Sequence, residues 1–108
     1  MAALVPVEAK AQDDCDGTRY RYTAAFDNFS VTPDVEYGNA VNATGLNQSL
    51  LVDIYEPEGD DNELRPLIIM AHGGFFIGGD NNGADVVPLS QDLTRMGYVV
   101  GSITYRLG

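Results

Sequence analysis

His72, Gly73 and Gly74 close an apolar run, and a second glycine pair, Gly78-Gly79, follows within the same stretch; residues 66–80 read PLIIMAHGGFFIGGD. A histidine set beside glycines admits three chemistries. Phosphate cradling needs GxGxxG, or GxxxxGK followed by Ser or Thr. Neither is present, since Asp80 and Asn81 follow Gly79 and no lysine lies nearby. A metal site through His72 has no partners, because His72 is the single histidine and Cys15 the single cysteine. No metal and no cofactor are therefore expected. The third chemistry is an oxyanion hole. Acyl transfer builds negative charge on a carbonyl oxygen, and each backbone N–H aimed at it is worth ~3–4 kcal/mol. Glycine lets backbone come that close. Taken alone, however, a Gly-Gly pair favours a plain tight turn with no ligand.

Such a loop needs elements to hold it. Residues 67–71 (LIIMA) lack helical spacing and are bounded by Pro66 and the glycines, which predicts a strand buried on both faces, as in a parallel sheet. Open α/β sheets bind ligands at the carboxyl ends of such strands. Residues 75–85 read as loop, with Asp85 capping a helix over about 86–96 that Gly97 ends in the left-handed conformation. Leu89, Leu93 and Met96 fall at i, i+4 and i+7, which predicts the face that packs on the sheet. Residues 98–105 (YVVGSITY) read as a second buried strand, completing a βαβ unit with two parallel strands. Upstream, residues 35–41 and 49–55 are strand candidates joined by a turn at 42–48, an antiparallel hairpin. Alternation places Leu51, Asp53 and Tyr55 on one face of the second strand and Leu50, Val52 and Ile54 on the other. Residues 56–65 (EPEGDDNELR) read as a solvated polar loop. In residues 12–30, Tyr20, Tyr22, Phe26 and Phe29 suggest a strap laying rings on the main body.

Composition sets the outer limits. The chain has 108 residues, 44% apolar and 20% charged, which allows at most one small globular domain. A net charge of −10 with no basic cluster argues against nucleic acid and anionic membrane surfaces as partners. No apolar run approaches the ~20 residues of a membrane span. Residues 1–11 end in Ala9-Lys10-Ala11, the small-x-small form of a signal-peptidase site, although no basic region precedes the short apolar part. Two readings stand: a truncated secretory signal, implying a secreted or periplasmic protein, or an N-terminus that merely contains alanines. Cys15 either pairs with a cysteine outside this chain or stays a free thiol.

Beyond these local readings, the stretch His72-Gly73-Gly74-Phe75-Phe76-Ile77-Gly78-Gly79 resembles the HGGG-type loop of α/β-hydrolase esterases and lipases. DIYEP at 53–57 resembles the end of the hairpin in that fold, and ITYRLG at 103–108 is similar to the NYRLG strand end of carboxylesterases. CDGTRY at 15–20 is a weaker likeness, to the start of exported bacterial carboxylesterase-like proteins. The resemblance covers residues 35–108 well and implies the fold class: α/β, the N-terminal portion of an α/β-hydrolase sheet, incomplete, built as an antiparallel hairpin followed by strand, oxyanion loop, helix and strand. It divides the chain into a signal-like segment at 1–11, an N-terminal strap at 12–33 and the hydrolase part at 34–108.

The resemblance also implies an activity, attack of a serine on a small-molecule carboxylic ester through an acyl-enzyme. Gly74 and Phe75 become the oxyanion donors, with Gly73 allowing the turn. Phe75 stands where the pattern has its third glycine, so a Cβ restricts the loop there. His72 becomes a loop brace, since the family's base comes late in the chain. Phe75, Phe76 and Ile77 are candidates to line the acyl pocket, Phe76 equally to be core. GxSxG is absent, while Ser90 falls in the predicted helix and Ser102 in the predicted strand. Nucleophile, acid and base are thus expected beyond these residues, as in a fragment inactive alone. The alternative is a non-catalytic α/β-hydrolase-like binding or adhesion protein.

Overall fold

The structure, a computed structural model, describes residues 24–75 and 77–108. The element order is β1 (Phe29–Val41), β2 (Asn47–Pro57), β3 (Leu67–Ala71), α1 (Val87–Arg95) and β4 (Val99–Ile103). The four strands form a single sheet in the order β1-β2-β4-β3. β1 and β2 pair antiparallel, from Phe29 opposite Pro57 to Val41 opposite Asn47. The turn between them is held by Asn42, whose Oδ1 accepts from the N–H groups of Thr44 and Leu46. β2 continues the sheet antiparallel to β4, with Asp53 opposite Ser102 and Tyr55 opposite Val100. β3 lies parallel to β4 at the edge, from Leu67 opposite Val99 to Ala71 opposite Ile103. The hairpin and the βαβ unit are therefore as the sequence predicts, within a small mixed α/β architecture.

The bounds differ from the prediction where pairing overrides local pattern. β1 starts at Phe29 rather than at residue 35, inside the segment read as strap, because its ladder with β2 continues through residues of no clear alternation. Pro33 is tolerated there because β1 is an edge strand, and the register shifts between Thr32 and Val35. Asp34 sits in this irregularity with φ of 53°, which turns its N–H onto the carboxylate of Asp53 at 2.8 Å. β4 is shorter than the predicted 98–105. Thr104 leaves the ladder and makes three bonds with Leu51, its N–H and its hydroxyl donating to the Leu51 carbonyl and its hydroxyl accepting from the Leu51 N–H.

The helix packs by a different stripe from the predicted one. Val86, Ser90 and Thr94 are buried at i, i+4 and i+8, while Leu89 is 49% exposed. Small polar side chains let the helix axis approach the sheet closely, and leucines would hold it further away. The prediction from Leu89, Leu93 and Met96 is corrected accordingly, with Leu93 and Met96 only half-buried. Asp85 does not cap the helix: the N-cap is Val86, with no side-chain cap bond. The C-terminus is as predicted. Gly97 has φ of 110°, its N–H reaches the Thr94 carbonyl, and the Tyr98 N–H reaches that of Leu93, a Schellman arrangement. The N–H groups of Ala25 and Phe26 both bond the Arg95 carbonyl, and the Arg95 guanidinium lies 5.0 Å over the Phe29 ring. Of the aromatic strap, Tyr20 and Tyr22 lie outside the described residues, as do Cys15 and the signal-like segment.

The core sits under the helix. Tyr55, Val86 and Val100 are its buried apolar residues, with Asp53, Ser102 and Asn81 buried beside them. Among the described residues nothing covers the opposite face, which corrects the reading of residues 67–71 as buried on both faces. Leu67 is 61% and Ile69 55% exposed, because α1 covers the other side and, among the described residues, β3 pairs only with β4. The 56–65 loop is not wholly solvated either. The Asp60 side chain is 1% exposed and faces Arg65 at 3.9 Å.

Candidate active site

β3 and β4 run parallel and end together, so the backbone leaving Ala71 and the backbone leaving Ile103 emerge side by side. Between them lies an apolar cleft of about 800 Å³. The 72–75 loop forms one wall, and Ile103, Tyr105 and Arg106 form the other. This is the carboxyl end of adjacent parallel strands, where sheets of this kind leave room for a ligand.

His72 is the hinge between strand and loop. It is 4% exposed, its ring stacked 4.3 Å from that of Tyr105 at 15°, and its Nδ1 lies 2.8 Å from the Gly73 carbonyl oxygen. The Tyr105 hydroxyl donates to the His72 carbonyl at 2.6 Å, so ring and backbone of His72 are both held by one residue after β4. Beyond it the chain reverses. Gly74 has φ of 132° and Phe75 φ of 55°, and the Ile77 N–H closes the turn onto the Gly74 carbonyl at 3.1 Å. A Cβ on Gly74 would overlap the Gly78 carbonyl, and one on Gly79 would overlap the His72 ring and the Gly73 carbonyl. Two glycines are thus required by close approach. Phe75 shows the cost of its Cβ, since a left-handed φ is disfavoured for any residue but glycine.

The N–H groups of Gly73, Gly74 and Phe75, the residues assigned to the oxyanion loop, are not equivalent. Gly73 donates to Asp85 Oδ2 at 2.7 Å. Those of Gly74 and Phe75 have no acceptor among the described residues. The Asp85 carboxyl lies below its ordinary range, first because of the Gly73 N–H, with smaller help from His72 and from its own N–H and that of Val86. Phe75 is 93% exposed at the cleft wall. Ile77 does not join that cleft; it lies in a smaller hollow beside the hairpin turn and Leu107. Phe76 lies outside the described residues. Ser90 and Ser102 are both fully buried, Ser90 under the helix and Ser102 donating to the Asn81 carbonyl, so neither faces the cleft.

Sequence reasoning missed the support beneath the loop. Asn81, 1% exposed, donates from Nδ2 to Asp53 Oδ1 at 2.8 Å and to Asp34 Oδ1 at 3.1 Å, tying the far end of the loop to β2 and to the β1 irregularity. The Asp53 charge, together with burial as the larger cause, pushes the neighbouring Tyr55 phenol up. A carboxylate on the face it shares with Leu51 and Tyr55 was the available signal for Asp53. For Asn81, in a run of loop residues, there was none. Among the described residues no three His, Cys, Asp or Glu gather to hold a metal, and no helix is long and apolar enough to cross a membrane.

A family model, BD-FAE, matches residues 52–108, just over half the chain's length. The chain belongs to the BD-FAE family. BD-FAE is a domain of the α/β-hydrolase esterase type, so a hydrolase-like domain is established here at that level. The BD-FAE match begins at Val52 in β2 and takes in every residue that lines the cleft, from Ala71 to Arg106. No curated protein and no solved structure matches the chain.

Proposed function

We propose that this chain supplies the oxyanion hole of a serine carboxylic-ester hydrolase, secreted or periplasmic, acting on small-molecule esters. The observation that carries the reading is the pair of consecutive N–H groups, Gly74 and Phe75, left without acceptors among the described residues beside an apolar cleft. An ester carbonyl seated there would gain negative charge as a nucleophile added to it, and each donor would then stabilise the oxyanion by about 3 kcal/mol. Gly73 serves the turn, its N–H already being committed to Asp85. His72 acts as a brace: its buried ring, pinned by Tyr105 and by close contact with Gly79, sets where the loop leaves β3. Phe75 supplies apolar wall for the acyl group. The serine that attacks, with its acid and base, is not among these residues in a suitable context, and this reading takes it from sequence outside them.

The test is made on the protein expressed from the complete reading frame. Hydrolysis of short-chain nitrophenyl esters, with one fluorophosphonate bound covalently to a serine, is the expected result. Saturable ester binding without turnover or labelling would overturn it and favour the non-catalytic binding reading.

A further inference from the structure

The loop holds the exposed carboxylate of Asp85 against its own backbone. Asp85 Oδ2 accepts from the Gly73 N–H at 2.7 Å, and the other oxygen, Oδ1, lies so close to Gly83 that a Cβ there would stand 2.6 Å away. The carboxylate thus bridges the start of the loop and the turn that ends it while staying open to solvent, and in that turn the Val86 and Val87 N–H groups bond the Gly83 carbonyl. The Gly73 N–H belongs to the peptide that enters Gly73, and the next two peptides carry the N–H groups of Gly74 and Phe75, which have no acceptor among the described residues. Fixing the first orients the following pair, because Gly74, at φ of 132°, has no side chain to fix its own rotation.

We propose that Asp85 is a positioning residue for the oxyanion loop: it anchors the Gly73 N–H so that the Gly74 and Phe75 N–H groups are presented to the cleft. The inference rests on the function proposed above, and goes beyond it in assigning a role to a residue whose sequence context suggests only a helix cap. Asp85 touches neither ester nor reacting atoms. Its contribution is preorganisation, which spares the loop reorientation as charge develops. The titratable group acting on its carboxylate is His72, at the end of β3, whose positive form would favour the ionised carboxylate. Because the Asp85 carboxyl lies below its ordinary range when folded, the anchor is complete above the unfolded carboxyl value and is lost as pH falls through the lowered folded value.

The test uses two variants of the intact protein. In ¹⁵N-labelled protein the Gly73 amide proton should lie downfield and move as Asp85 protonates. Asp85→Ala should speed its solvent exchange about tenfold or more, while Asp85→Asn, which keeps an acceptor oxygen, should restore protection without the titration. In ester turnover Asp85→Ala should lower kcat by about 10- to 100-fold with KM nearly unchanged, and Asp85→Asn should recover most of it. A Gly73 amide indifferent to both pH and Asp85→Ala overturns the inference, as does a rise in kcat on removing the carboxylate. If the protein hydrolyses no ester, the proposed function fails, and the Gly73 amide still decides whether Asp85 anchors the loop.

Discussion

Gly79 is the residue on which the shape of the loop depends most directly. Its φ is 109°, and an added Cβ would overlap the buried His72 ring and the Gly73 carbonyl. Gly78, its neighbour, has open space around its Cα. Gly79→Ala should therefore destabilise the fold by about 1–3 kcal/mol. Gly78→Ala should stay within about 0.5 kcal/mol of the parent. Urea unfolding of the two variants checks this, and equal midpoints would show that the loop tolerates the contact. At this scale the glycine cluster was legible as a motif. Which glycine is obligatory was not, because the clash at Gly79 is with a ring seven positions earlier in the chain.

The helix shows what periodicity can and cannot settle. Its length and its glycine stop follow from propensity and capping, which are local. Its rotation does not, because Ser90 and Thr94 face the sheet in place of Leu89. Thr94 satisfies its hydroxyl on the Ser90 carbonyl at 2.6 Å, whereas Ser90 Oγ is buried without a hydrogen-bond partner among the described residues. An unsatisfied buried hydroxyl costs stability, and alanine is the better helix former. Ser90→Ala should thus stabilise the protein by about 1 kcal/mol, read as a higher denaturation midpoint at unchanged m. A loss of stability would mean that the hydroxyl has a partner. Asp85 teaches the same lesson at the other end of the helix. Read locally it is a cap, yet its carboxylate is drawn to the Gly73 N–H, which the crossover brings within reach from twelve residues away.

For the molecule as a whole, stability resides on one side of the sheet. Val100 is fully buried under α1, while Leu67 and Ile69 on the other face remain more than half exposed. Val100→Ala should cost about 2 kcal/mol. Ile69→Thr, which keeps the β-branch and loses only partly buried surface, should cost under about 1 kcal/mol. Thermal unfolding of both separates the faces, and equal costs would show that something covers the Ile69 side in solution. By itself the sequence determined the hairpin, the parallel βαβ unit, the loop at a strand's end and the esterase resemblance that the BD-FAE match supports, because turn residues, alternation and motif spacing are properties of neighbouring positions. Only the tertiary structure decided which side chains lie beneath the loop. Asp53 and Asn81, Tyr105 and His72, Asp85 and Gly73 are pairs separated along the chain, and each is made by a strand pairing or crossover whose register no local pattern encodes.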